Sequence, residues 1–71
     1  MPLIKRSLSL AGHRTSISLE PEFWDEIDRM ARDQGSSLAG LIADIDAARG
    51  EEPLASSVRL SVLRHLRDRP D

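Results

Sequence analysis

Cysteine and tyrosine are absent from this 71-residue sequence, and phenylalanine and tryptophan occur once each. The lack of cysteine excludes a disulfide framework and any thiolate-ligated metal. The two histidines, His13 and His65, are too far apart for a recognisable zinc motif, so neither a metal nor a cofactor is expected. No apolar run approaches the roughly 20 residues of a membrane-spanning helix. The opening Met1-Pro2-Leu3-Ile4-Lys5-Arg6 lacks the apolar core of a signal peptide. A cytoplasmic, bacterial-type protein without a membrane partner is therefore expected. Catalytic constellations are missing as well. Asp44 and Asp46 lie two apart on an expected helix and point in different directions. No serine is accompanied by a histidine–carboxylate pair or a nucleophile elbow, and no glycine-rich loop has the phosphate-cradling spacing. An enzyme is not expected, and no residue is assigned a catalytic role.

Apolar residues make up 39% of the chain and charged residues 31%, a balance that suits a folded domain. A single domain this small buries little surface by itself, and without disulfides or metal the remaining stabiliser is oligomerisation. The net charge of −2 is unevenly distributed. Residues 1–19 hold Lys5, Arg6 and Arg14 with no acid, whereas every acid except Asp68 and Asp71 falls between Glu20 and Glu52. The segment after Pro53 is again basic, with Arg59, Arg64, Arg67 and Arg69. That polarity suits a basic face meeting phosphate, with acids on the elements behind it.

Three regions are expected. Residues 1–13 read as a basic N-terminal arm in which Lys5 and Arg6 touch phosphate. Alternation over Arg6–Leu10 makes a short extra strand one reading of its end, and Ala11-Gly12 reads as a bend. In residues 14–50, Arg14 to Leu19 alternates, placing Thr15, Ile17 and Leu19 on one face and Arg14, Ser16 and Ser18 on the other. A helix follows from Pro21 to Gln34, with proline in its first turn and Gly35 as its stop. Ser36 or Ser37 caps a second helix running to Arg49. Residues 51–71 give a connector and a third helix, capped by Ser56 or Ser57, with Val58, Val62, Leu63 and Leu66 on one side. The fold class expected is mainly α with one short strand. A lone strand cannot satisfy its own backbone, so the same strand of a second copy, crossing antiparallel at a two-fold axis, is the simplest partner. The resulting two-stranded ribbon on four helices has the width of the DNA major groove. Trp24 reads as packing rather than as a base-stacking platform, His13 as a strand-flanking residue, and His65 as exposed on the last helix.

The segment from Arg14 through Glu20-Pro21-Glu22-Phe23-Trp24 and Gly35-Ser36-Ser37-Leu38 to about Arg49 resembles the ribbon-helix-helix family of bacterial and phage DNA-binding proteins that contains the Arc and MetJ repressors. Arg6-Ser7-Leu8-Ser9-Leu10-Ala11-Gly12-His13-Arg14-Thr15-Ser16 and Ile45-Asp46-Ala47-Ala48-Arg49-Gly50 are similar to a subfamily of short members. The resemblance implies an intertwined homodimer with an extra C-terminal helix. It implies base reading by Arg14, Ser16 and Ser18, and a phosphate clamp at the backbone of Ser36, Ser37 and Leu38. The implied function is sequence-specific duplex DNA binding by a dimeric transcriptional regulator, either a repressor or an antitoxin-like autoregulator. The alternative is a dimeric protein-interaction module of the same fold with no specific DNA target. Residues 53–71 are the candidate contact for a protein partner or for assembly beyond the dimer.

Overall fold

The computed structural model describes residues 2–69, in the order β1 (Ile4–Leu10), β2 (His13–Leu19), α1 (Pro21–Asp33), α2 (Leu38–Ala48) and α3 (Leu54–Arg67). Met1, Pro70 and Asp71, the outer ends of the expected arm and C-terminal segment, lie outside the described residues. The reading of Arg6–Leu10 as a short extra strand holds, with the strand starting two residues earlier at Ile4, and the fold class of one short strand is corrected to two. β2 pairs antiparallel with β1 of its own chain, in a register running from Ile4 opposite Leu19 to Leu10 opposite His13. The reason is the two-residue loop. Ala11 and Gly12 both have positive φ, 51° and 83°, as a type I′ turn demands, and the twist of that turn matches the right-handed twist of the flanking strands. The bend is thus a hairpin turn, and the arm supplies a ladder partner for one edge of β2 within the same chain.

Ala11 carries the strain of this turn, because an L-residue with a Cβ in the left-handed region costs about 1–2 kcal/mol. Asparagine tolerates that region and leads at the first position of such hairpins. Ala11→Asn should accordingly raise unfolding stability by about 1 kcal/mol, measured as a shift of the denaturant midpoint at unchanged slope.

The two faces of the hairpin differ completely. Leu10, Ile17 and Leu19 are buried, with Leu8 packed against the same core. Trp24, Ile27, Met30 and Ala31 of α1 meet them at helical spacing, together with Leu41 and Ile42 of α2 and Val58 and Val62 of α3. Trp24 is only 1% exposed, and its indole Nε1 donates to the carbonyl of Ile4 at 2.7 Å. Arg6, on the inner side of β1, stacks 4.4 Å from the Trp24 ring centroid and forms a bidentate pair with Asp28 at 3.0 and 3.2 Å. Two residues of α1 therefore hold β1 in place from below.

α1 ends in the paired bonds of a Schellman motif. Ser36 N–H donates to the Ala31 carbonyl at 2.9 Å and Gly35 N–H to Arg32 at 3.1 Å, with Gly35 at φ 69°. This turn leads directly into α2, which Ser37 caps. α3 is capped at Pro53, three residues before Ser56 and four before Ser57, the expected caps, because the carbonyl of Pro53 already accepts from Ser57 N–H at 3.0 Å. Ser57 is instead inside the helix and buried, donating to Glu52 at 3.3 Å. Val58 and Val62 are buried, but Leu63 and Leu66 are 47% and 39% exposed. The 3.6-residue turn carries these two leucines off the line that faces the core. Arg59 fastens α3 to the start of α1. It donates to Glu20 at 2.9 Å, and that bond holds the Glu20 carboxyl below its ordinary range.

Candidate nucleic-acid interface

Side-chain alternation sends Lys5, Ser7 and Ser9 of β1 to the outer face of the hairpin, beside Arg14, Ser16 and Ser18 of β2. The register places them in three direct pairs, Lys5 with Ser18, Ser7 with Ser16, and Ser9 with Arg14. Five of the six are exposed and Ser18 is half-buried. The Ser7 and Ser16 hydroxyls lie 3.3 Å apart, the close approach expected of a pair that does not share ladder bonds. The face thus carries a cation at each of two diagonal corners, four hydroxyls between them, and no acid. Hydroxyls donate and accept, and the cations reach phosphate or the guanine edge, so this surface suits a polyanion with hydrogen-bonding groups in its groove.

Of the residues read from sequence as DNA contacts, Arg14, Ser16, Ser18 and Lys5 come together here. Arg6 does not. It sits on the opposite side of the sheet with its charge committed to Asp28 and its plane to Trp24. Ser7 and Ser9 were not singled out from the sequence. Their signal was the alternation of the arm, which acquires meaning only once the turn at Ala11-Gly12 pairs it with β2.

Ser36, Ser37 and Leu38 form the start of α2. The Ser37 hydroxyl accepts from Gly40 N–H at 3.0 Å, a capping bond. Gly40 makes room for it, since a Cβ there would stand 3.1 Å from the Ser37 Oγ. Leu38 is half-buried and packs on the core, so its contribution at this turn is its backbone. Acids are absent from the first turn of α2, which leaves the positive end of the helix dipole uncompensated by side chains.

Elsewhere the surface is less specialised. An open cleft of about 320 Å³ between α2 and α3 is lined by Asp44, Arg49, Glu52, Ser57 and Arg64, charges of both signs. Among the described residues no group of three or more potential metal ligands occurs, and no helix is long and apolar enough to cross a membrane.

Residues 3–66 match the ribbon-helix-helix domain family. No curated protein and no solved structure matches the chain. With a family match over nearly the whole sequence and an observed order of ribbon strand, helix and helix, the chain belongs to the ribbon-helix-helix family, whose domains are generally DNA-binding regulators rather than enzymes.

Proposed function

We propose that this protein is a homodimeric, sequence-specific DNA-binding regulator that reads duplex DNA with the outer face of its hairpin. The observation that carries this reading is the acid-free face of Lys5, Arg14 and four serines, on a chain whose net charge is negative. Cations segregated against the overall charge need a reason, and phosphate supplies one. Arg14, Ser16 and Ser18 take the base-reading positions. The backbone N–H groups at Ser36–Leu38 take a phosphate, the Ser37 hydroxyl serving as cap.

The open side of β2 supports the dimer in this reading. The two-residue loop closes on a hydrogen-bonded pair, Leu10 and His13. By the alternation of an antiparallel ladder, the backbone groups of Arg14, Ser16 and Ser18 then point away from β1, toward an edge with no strand beside it among the described residues. That edge is where a second copy would add, pairing β2 with β2. Repression is the regulatory outcome that needs no further surface, because an occupied operator excludes other proteins. The exposed Leu63 and Leu66 favour a second role for residues 53–71 as a contact for a protein partner, as in an antitoxin-like autoregulator.

Electrophoretic mobility with a duplex of arbitrary sequence tests the electrostatic half of this reading. A shift that weakens steeply between low and moderate salt supports it. No shift at any salt concentration, alongside a stable dimer, leaves the protein-interaction module as the function. Ser37→Ala should weaken binding to all sequences alike and lower stability by about 1 kcal/mol through loss of the cap. Both effects can be read from titrations and denaturation curves of the same sample.

A further inference from the structure

The geometry points to a division of labour within the hairpin, in which β1 is an outer rail that grips the sugar-phosphate backbone while base reading is confined to β2. This inference rests on the proposed pairing of β2 with β2 of a second copy. Because each β2 already carries β1 on its other side, such a dimer has a four-stranded sheet in the order β1-β2-β2-β1, not a two-stranded ribbon. With strands about 4.8 Å apart, the two β1 axes stand about 7 Å from the two-fold axis. A major groove about 12 Å wide accepts the two central strands, whereas the outer strands come over its phosphate walls.

β1 would not be displaced to narrow the sheet, because its anchors are below it. The Trp24 Nε1 bond to the Ile4 carbonyl, the Arg6–Asp28 pair and the Arg6–Trp24 stack all hold it to α1. Its outward side chains also fit a phosphate wall. Lys5 supplies a flexible point charge, and Ser7 and Ser9 supply short hydroxyl donors that let the backbone approach closely.

The register then gives the composite face. Ser16 is the midpoint of His13–Leu19 and has its backbone groups on the open edge, so pairing about Ser16 joins the longest stretch of both strands. Across the sheet, Lys5 and Ser18 of one copy fall in a row with Arg14 and Ser9 of the other. Each half-site is thereby framed by the arginine of one chain and the lysine of its mate, and neither chain holds a complete half-site.

Lys5→Gln and Arg14→Ala, each compared with wild type on one randomised duplex library and on a salt titration, test the division. Lys5 is exposed, so the fold of its variant should be unchanged, which circular dichroism checks. Lys5→Gln should weaken binding by one common factor for every duplex and flatten the log–log salt slope by about 2 per dimer, one phosphate contact from each chain. Its base preference should be that of wild type. A changed preference at any base position in Lys5→Gln would put β1 inside the groove and overturn the inference. An unchanged affinity and slope would take β1 off the DNA and overturn it equally. Wild-type protein that binds no duplex would instead remove the proposed function beneath it, an outcome visible before either variant is made.

Discussion

Arg14→Ala should reduce specific DNA affinity by about 1–3 kcal/mol and relax base preference at one position in each half-site. Arg14 is the only guanidinium on the outer face of the hairpin, and the bidentate arginine–guanine contact is the commonest specific contact in base reading. The serines beside it, Ser16 and Ser18, bond to several base edges and discriminate weakly. The variant should keep its stability, since Arg14 is exposed and enters no ion pair among the described residues. Competition between the preferred duplex and an arbitrary one, at one fixed salt concentration, measures the effect. A fall in affinity that is equal for both duplexes would make Arg14 a phosphate contact and not a reader.

The second large effect is on folding. Trp24→Ala should destabilise the domain by about 3–5 kcal/mol, a large part of what a chain of this size possesses. Trp24 is 1% exposed, the largest fully buried side chain of the core. Its removal also deprives the Ile4 carbonyl of a donor and Arg6 of its stacking surface, so β1 loses two of its three ties to α1. Trp24→Phe should fall between, keeping much of the packing while giving up the indole hydrogen bond, worth about 1 kcal/mol. Chemical denaturation of the three proteins gives the order directly. If Trp24→Ala unfolds at the wild-type midpoint, the anchoring of β1 described above is wrong. If it unfolds early, its DNA binding should disappear with the fold although no outward residue has changed.

The first two helices were legible in the sequence because their signals are local. Pro21 with acids behind it, the Gly35 stop and the Ser37 cap each act within one turn, and α1 and α2 begin and end within a residue or so of where those signals fall. The parity of Arg14 to Leu19 was legible for the same reason, since alternation needs no partner. The partner itself was not. Alanine at the first turn position is an uncommon occupant of the left-handed region, so Ala11-Gly12 lacks the Asn-Gly signature that would have announced a hairpin. Without the hairpin, Ser7 and Ser9 have no place on a face, and Arg6 looks like one more free cation of the arm. What redirects Arg6 is Asp28 and Trp24, more than fifteen residues away in sequence, and no local pattern carries that contact. The exposure of Leu63 and Leu66 has a similar cause. An apolar stripe shows that a helix has a buried side, but the neighbouring elements set how wide that side is, and these two leucines fall off the line of Val58 and Val62.

Selection of bound sequences from a fully randomised duplex library, run in parallel with wild-type protein and Arg14→Ala, tests the central claim most directly. The expected result is enrichment of an inverted repeat by wild type, with two chains bound per duplex and loss of information at one base of each half when Arg14 is replaced. A library that stays random under wild-type protein, or an enriched motif that Arg14→Ala selects unchanged, would contradict the assignment of the outer hairpin face as the DNA-reading surface.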